Sequence, residues 1–162
     1  VKSASHPHHF MAVTKGGRSA IAATSGNEDC HIILRGGHTP NYDHASVEAA
    51  SAELSRAGVA PRIMIDSSHA NSSKKPENQP LVVADIAGQL AGGEQRITGV
   101  MIESNLVAGR QDVVPGKPLT HGQSITDGCI DWETTVSALN TLANAVSARR
   151  NVRSRKLQER SA

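Results

Sequence analysis

The sequence predicts an α/β protein in which β/α units surround a parallel sheet. From position 31 onward, short runs of β-branched apolar residues are followed by polar breaks and by segments of helical period that end at glycine. Two of these runs, 63–65 and 97–102, are apolar at successive rather than alternate positions. Such runs are typical of strands that are buried on both faces of a parallel sheet.

The first unit has a strand over 31–34 and a turn over 35–37. Asp43 is a favourable N-cap, and the spacing predicts a helix from there to Arg56 with Gly58 as its stop. The apolar stripe of this helix consists of Val47, Ala50 and Leu54.

The second unit has a strand over 63–65 and then a polar cluster over 66–73. A helix is predicted through 81–90, and it ends at the glycine pair 92–93.

The third unit begins with a strand over 97–102. The segment 106–122 is rich in glycine and proline and is predicted to be a long loop, which in a compact domain is usually functional or disordered. A helix with apolar residues at helical spacing is predicted from about Trp132 to Arg150.

Four segments divide the chain in this interpretation. Residues 1–9 form a polar lead-in, 10–24 a β-hairpin appendage, 31–150 the β/α units and 151–162 a basic tail. Six of the twelve residues 149–160 are Lys or Arg, and we interpret this run as a frayed, solvated helix end. The hairpin follows from two short strands, 10–14 and 20–24, that flank Lys15, Gly16 and Gly17.

Composition excludes several classes of function. The longest apolar stretches fall far short of the ~20 residues that cross a bilayer, and no signal peptide is recognisable. Cys30 and Cys129 form no CxxC pair, so we expect a cytoplasmic protein without disulfides. The net charge of +2 and the few aromatic residues give no indication of a nucleic-acid partner.

Charged side chains follow the predicted strands at the point where each strand ends. They are Arg35, then Asp66 and His69, then Glu103, with Asp127 after the long loop. Because ligands of parallel β/α folds bind at the carboxyl ends of the strands, we expect these groups to converge. One imidazole and two carboxylates suit Mn²⁺, Fe²⁺, Co²⁺ or Zn²⁺.

Arg35 precedes two glycines that allow close backbone approach, so it suits a phosphate or carboxylate anchor. Each residue also has a simpler interpretation. His69 could be structural, Asp127 could be a turn or cap residue, and Arg35 could pair with a buried acid.

Five strings carry a resemblance to a known family: HIILRGG from position 31, PNY from 40, MIDSSHANS from 64, GVMIESN from 99 and SITDGCI from 124. In this order, over about 10–150, they resemble the C-terminal part of the microbial type I 3-deoxy-D-arabino-heptulosonate 7-phosphate (DAHP) synthases. The resemblance implies part of a (β/α)₈ barrel, about three of its β/α units, preceded by a hairpin.

The resemblance also implies an activity. Enzymes of that family condense phosphoenolpyruvate with erythrose 4-phosphate in a metal-dependent reaction, the first step of the shikimate route to aromatic amino acids. His69, Glu103 and Asp127 match three of the four protein ligands to the metal, and Arg35 and His69 match contacts to phosphoenolpyruvate. Asp66 is expected to orient His69, which makes Arg35, Asp66 and His69 the expected catalytic set.

Two further expectations concern regulation and completeness. The hairpin corresponds to an appendage of the amino-acid feedback site, with Phe10 and Ala12 on its first strand, although a hairpin that packs at a subunit contact is an equal alternative. A homo-oligomer is expected for the full-length enzyme. The family's cysteine ligand and its earlier barrel strands have no counterpart here, and neither Cys30 nor Cys129 lies in that cysteine's motif.

Two alternative functions stay open. One is a different β/α phosphosugar aldolase, which would leave the order of the motifs unexplained. The other is an inactive fragment that serves as a regulatory or oligomerisation module.

Overall fold

A two-stranded hairpin opens the chain. The structure, a computed structural model, describes residues 1–159, without the side chains of Lys156 and Leu157. Strand β1 (His8–Val13) pairs antiparallel with β2 (Ser19–Thr24). The strand begins two residues before the predicted position, so His8 and His9 belong to β1 and not to the lead-in.

The central sheet consists of three parallel strands. They are β3 (Ile32–Leu34), β4 (Ile63–Asp66) and β5 (Ile97–Met101), in the order β3-β4-β5. The parallel pairing predicted from the apolar runs is therefore confirmed. All three strands end at the same edge of the sheet, and the chain leaves that edge through the segments that carry the predicted site residues.

Among residues 1–159, three α-helices follow the strands, and their starts lie close to the predicted positions. They are α1 (His44–Arg56), α2 (Gln79–Ala91) and α3 (Trp132–Glu159), and a short 3₁₀ helix (Pro76–Asn78) precedes α2. The Asp43 carboxylate caps α1 by accepting from the backbone N–H of Ser46 at 3.0 Å, and hydrogen bonds from Ser46 lower the pKa of Asp43. Within residues 1–159, no helix combines the length and apolar character that a membrane crossing requires.

The helices cover one face of the sheet. The side chains of Ile63 and Ile65 on β4 are fully buried there. The rest of this core comes from β3, from β5 and from all three helices: Leu34, Val47, Leu54, Val82, Ile86, Ala87, Leu90, Ile97 and Ala145. Packing of this kind supplies most of the stability of a small α/β unit.

The opposite face of the sheet is open, which corrects the prediction of strands buried on both faces. Ile33 and its register partner Met64 point to this side; Ile33 is 45% exposed and Met64 is half-buried. Apolar residues on this face account for the uninterrupted apolar runs. Among the described residues, however, the helices pack only against the covered face, which is the face that carries Ile63 and Ile65.

Two segments differ from the predicted elements. The predicted loop 106–122 contains β6 (Val107–Arg110), which pairs in parallel with β7 (Gln123–Ser124). Helix α3 continues to Glu159 and includes 151–159 of the predicted tail, while residues 160–162 lie outside the described part of the chain.

Arg96 joins the start of β5 to α1. Its guanidinium donates two hydrogen bonds to the Glu94 carboxylate, at 2.8 and 2.6 Å, and a third to Glu48 at 2.5 Å. The hydrogen bonds from Arg96 lower the pKa of Glu94 from 4.5 to about 2. A carboxyl group whose pKa is lower in the folded state stabilises that state above its unfolded pKa, and this contribution disappears as the pH falls toward 2.

We therefore expect Glu94→Gln to lower the free energy of unfolding by about 1–2 kcal/mol at pH 7, because two charge-assisted hydrogen bonds are lost. The difference in the free energy of unfolding between the wild type and Glu94→Gln should shrink below pH 4.5 and vanish near pH 2. Denaturant unfolding across this range measures it. Glu53→Gln, on the exposed side of α1, is the control and should have little effect; an equal difference at pH 7 and pH 2 would contradict the assignment.

Candidate active site

A cleft of about 270 Å³ lies at the carboxyl ends of the strands of the central sheet. Five ionisable side chains line it, from the segments that follow four of the strands: Arg35, His69, Lys74, Glu103 and Asp127. Arg35 follows β3, His69 and Lys74 follow β4, Glu103 follows β5 and Asp127 follows β7. The structure thus brings together all four strand-end residues that the sequence assigned to metal or substrate.

His69, Glu103 and Asp127 form a cluster of metal-ligand types. Their ligand atoms all lie within 4.8 Å of one another, and His69 Nε2 is 3.4 Å from Glu103 Oε1. His69 and Glu103 are half-buried, whereas Asp127 is exposed. One imidazole nitrogen and two carboxylate oxygens fit a divalent transition metal.

Hydrogen bonds hold the His69 ring at Nδ1, the ring nitrogen that points away from Glu103. Its Nδ1 lies 2.7 Å from Asp66 Oδ2 and 2.7 Å from Ser68 Oγ. Asp66 is only 1% exposed, and its other oxygen accepts from the backbone N–H and the hydroxyl of Ser68. Because an ionised carboxylate only accepts, the Asp66 contact favours a proton on Nδ1 and leaves the Nε2 lone pair toward Glu103.

The backbone around this histidine is strained. His69, Ser73 and Lys74 have φ values of 48°, 57° and 59°, in the left-handed region that residues other than glycine seldom occupy. Hydrogen bonds within the loop hold this conformation, among them Lys74 N–H to the His69 carbonyl at 2.7 Å. Strain that the surrounding structure fixes in this way is common at functional sites.

The electrostatics of the cluster favour a bound cation. Burial is the main cause that raises the pKa of Glu103 above its ordinary value, and the nearby Asp127 raises it further, while His69 opposes the shift. Two carboxylates in one partly buried site repel each other. A divalent cation would remove this repulsion, so the donor set fits the metal that the sequence predicts.

Arg35 reaches the cleft because the chain turns sharply after β3. Gly36 has φ +77°, and a Cβ there would lie 2.7 Å from the Ala70 Cβ, so only glycine fits this turn. Within residues 1–159, no carboxylate lies within 4.0 Å of the Arg35 guanidinium. The alternative in which Arg35 pairs with a buried acid is therefore not observed, and the cation is available to an anionic ligand.

Neither cysteine belongs to the ligand cluster in the described chain. Cys129 is buried near the cleft, and burial raises the pKa of its thiol. Its backbone bonds Gly109 in both directions, at 3.1 and 2.8 Å, which ties the segment that carries Asp127 to β6. Cys30 lies before β3, at the other end of the sheet.

Sequence reasoning missed several residues that build the site. Lys74 lines the cleft, and its position in the polar segment after β4 could have indicated this. Asn71 and Gln79 are buried, at 3% and 0% exposure, and their amides bond backbone groups that are remote in sequence. Asn71 donates to the Leu34 carbonyl at 3.1 Å and to the Asp66 carbonyl at 2.7 Å, so it joins the ends of β3 and β4.

The two candidate feedback residues lie apart from the cleft, on the hairpin. Phe10 and Ala12 share one face of β1, opposite Ala22 and Ala20 of β2, and Phe10 is 51% exposed. The small alanines beside Phe10 leave an apolar surface without bulky neighbours on that face.

Comparison with known proteins gives consistent results. The model of the DAHP synthetase I family matches residues 1–140. The chain is 55% identical over 150 residues to the Phe-sensitive phospho-2-dehydro-3-deoxyheptonate aldolase of Escherichia coli K12, a match that covers 93% of this chain and 43% of the relative. It is 50% identical over 155 residues to the tyrosine-inhibited aldolase of that name from Schizosaccharomyces pombe, with 93% and 42% covered.

A solved structure is also similar. The phospho-2-dehydro-3-deoxyheptonate aldolase from Francisella tularensis SCHU S4 superposes with a TM-score of 0.85 at 51% identity, over 91% of this chain and 43% of that one. The chain therefore spans less than half the length of the relatives that it matches. A family match over most of the chain, together with relatives above 50% identity, shows that the chain belongs to the DAHP synthetase I family.

Proposed function

We propose that this chain supplies the metal-binding part and one side of the phosphoenolpyruvate site of a DAHP synthase. The reaction is the condensation of phosphoenolpyruvate with erythrose 4-phosphate, which forms DAHP and releases inorganic phosphate. The observation that carries the proposal is the cluster of His69, Glu103 and Asp127, whose ligand atoms lie within 4.8 Å at the carboxyl edge of the sheet. We further propose that the protein acts in the cytoplasm.

A divalent cation, Mn²⁺, Fe²⁺, Co²⁺ or Zn²⁺, would be held by His69 Nε2 and by the carboxylates of Glu103 and Asp127. When bound, it supplies Lewis acidity that stabilises negative charge on the aldehyde oxygen of erythrose 4-phosphate. Asp66 keeps the proton of His69 on Nδ1, so that Nε2 stays free to act as a ligand.

Arg35 binds phosphoenolpyruvate through charge-assisted hydrogen bonds in this proposal. Its guanidinium has no carboxylate partner among the described residues and lines the same cleft as His69. The planar fork of arginine suits the oxygens of a phosphate or carboxylate. Lys74 adds a second positive charge to this wall of the cleft.

The open face of the central sheet supports the proposal that this sheet is part of a larger barrel. Ile33 is 45% exposed on this face, and Trp132, Val136 and Leu139 form an exposed apolar stripe on α3. In a (β/α)₈ barrel, further strands and helices would bury these surfaces. We therefore propose that the central sheet forms one part of such a barrel, which the remaining part of the family fold completes.

For the hairpin we propose a regulatory role in the full-length enzyme. Phe10 and Ala12 would contact an aromatic amino acid inhibitor, since relatives carry the names Phe-sensitive and tyrosine-inhibited. Met11, Val13 and Ile21 are more than 70% exposed on the other face of the hairpin. This second face favours a contact between copies of the chain in a homo-oligomer.

The test is release of inorganic phosphate from phosphoenolpyruvate, with and without erythrose 4-phosphate and Mn²⁺. The 162-residue chain is assayed alone and after refolding with a polypeptide that carries the remaining length of the E. coli relative. We expect release that depends on erythrose 4-phosphate and Mn²⁺ in the refolded mixture. No release from a mixture in which both polypeptides are folded and associated would contradict the proposal and favour an inactive regulatory or oligomerisation module.

A further inference from the structure

We propose that Gln79 is a positioning residue for the metal centre. Its buried amide holds the Glu103 peptide and so fixes the direction in which the Glu103 carboxylate leaves the end of β5. The inference rests on the proposed metal site and assigns the residue that sets its geometry.

The Gln79 amide makes a two-point contact with the Glu103 backbone. Gln79 Nε2 donates to the Glu103 carbonyl at 3.0 Å, and the Glu103 N–H donates to Gln79 Oε1 at 2.9 Å. Since one atom must accept and the other must donate, these two partners fix the orientation of the amide. The Ser67 hydroxyl lies 3.2 Å from the same Oε1 and 2.8 Å from the Met101 carbonyl, to which it donates, and Gln79 has no exposed surface.

This contact replaces strand pairing at the place where the strand has ended. Strand β5 ends at Met101, so the peptide of Glu103 lies beyond the ladder that joins β4 and β5. The Ile130 N–H also donates to the Glu103 carbonyl, at 3.0 Å. The peptide is therefore held from two sides, by Gln79 at the first position of α2 and by the segment that follows Asp127.

Few side chains could do this. The amides of glutamine and asparagine present a donor and an acceptor side by side on one planar group whatever the pH, as a neighbouring strand would. Asparagine is one methylene shorter and could not span the same distance from the same backbone position. Pro80, the next residue, has a fixed φ at the start of α2, which limits the freedom of the backbone that carries the glutamine.

The clamp acts on position and not on charge. Gln79 does not line the cleft, and in the described chain its side chain bonds a residue of the site through the Glu103 backbone. Loss of the amide would allow the Glu103 peptide to shift. A ligand that moves by a fraction of an ångström weakens binding, because metal affinity depends on the groups that orient the ligands.

The experiment compares Gln79→Met with Gln89→Met in the 162-residue chain. Methionine keeps the approximate volume of glutamine and removes both hydrogen-bonding groups. Gln89 is the matched control, because it lies on the same helix and its amide also donates to a backbone carbonyl, that of Tyr42 at 2.8 Å, away from the cleft. Binding of Co²⁺ is measured by its visible d–d absorption, which reports both affinity and coordination geometry.

We expect Gln79→Met to weaken Co²⁺ binding about 10- to 100-fold and to change the absorption spectrum at saturating Co²⁺. Gln89→Met should leave the dissociation constant and the spectrum unchanged. In the background of Glu103→Ala, Gln79→Met should cause no further loss, because its effect passes through Glu103. Gln79→Asn keeps a neutral amide that is one methylene too short to reach the Glu103 backbone, so it should weaken Co²⁺ binding in the same direction as Gln79→Met; it provides the decision if the methionine variant does not fold.

The outcomes separate the two proposals. If the wild-type chain is folded and gives no saturable Co²⁺ spectrum, the proposed metal site is wrong and the role of Gln79 falls with it. If the wild-type chain binds Co²⁺ and the Gln79 variants bind it with the same affinity and spectrum, the positioning role alone is overturned. A variant that only lowers stability, with unchanged binding in the folded protein, would show that Gln79 is merely structural.

Discussion

Replacing His69 with alanine is expected to reduce the affinity for Mn²⁺ or Co²⁺ by roughly 100-fold or more. The change removes the imidazole of the three-residue cluster and leaves the carboxylates of Glu103 and Asp127 as its remaining donors. Loss of a direct ligand should exceed the 10- to 100-fold effects typical of removing an orienting partner. Titration of the folded chain with Mn²⁺, followed by electron paramagnetic resonance, measures the change.

The control for this prediction is His31→Ala. His31 is exposed and lies just before β3, at the end of the sheet away from the cleft. Its replacement should leave metal affinity unchanged. Full metal affinity in His69→Ala, or an equal loss in His31→Ala, would show that the three residues do not form the metal centre.

Replacing Arg35 with methionine is expected to raise the KM for phosphoenolpyruvate about 10- to 100-fold in the proposed synthase, assayed after refolding with a polypeptide that carries the remaining length of the E. coli relative. Each hydrogen bond from a charged donor contributes about 1.5–3 kcal/mol, which corresponds to this range. Arg35→Lys should recover only part of the loss, because lysine cannot donate two parallel bonds from a planar group. Affinity for Mn²⁺ should stay close to that of the wild type.

Arg56→Met is the control for charge alone. Arg56 lies in the last turn of α1, away from the cleft. Arg56→Met removes the same formal charge as Arg35→Met and should leave the KM for phosphoenolpyruvate unchanged. An unchanged KM in Arg35→Met, or a loss confined to metal affinity, would exclude a direct contact between Arg35 and phosphoenolpyruvate.

Much of the fold was predictable because its signals are local. The Asp43 cap, the apolar stripe of α1 and the positive-φ Gly58 that follows it place this helix within a residue of its observed bounds. The parallel pairing of β3, β4 and β5 follows from the short apolar runs separated by helical segments. Once the strands are parallel, their ends share one edge, so the residues after each strand had to converge.

The errors arise where the local pattern carries no information on tertiary contacts. Strand β6 has four residues, Val107–Arg110, and pairs with the two-residue β7 and, through Gly109, with Cys129; it is too short to show a strand alternation in the sequence. The basic run after Arg150 was interpreted as a solvated helix end, and α3 does continue through it to Glu159; only the predicted bound at Arg150 is too short, because the polar extension has no apolar period to mark where the helix ends. A run of successive apolar residues also predicts that both faces of a strand are buried. The run gives no information on which elements cover each face.

The supporting residues of the site could not be predicted from the sequence. Gln79 and Asn71 are ordinary polar residues whose partners are backbone atoms 24 and 37 positions away. Hydrogen bonds of this kind depend on the final packing of α2 and of the β4 loop against the strand ends. Asp66, in contrast, lies three positions before His69, and the short spacing made their contact predictable.

The central claim is that His69, Glu103 and Asp127 hold a divalent cation, and the most direct measurement is an anomalous-scattering map from crystals of the 162-residue chain grown with Mn²⁺. We expect one strong anomalous peak, coordinated by His69 Nε2 and by the carboxylate oxygens of Glu103 and Asp127. A peak bound elsewhere, or no peak at this cluster in crystals that contain Mn²⁺, would contradict this claim.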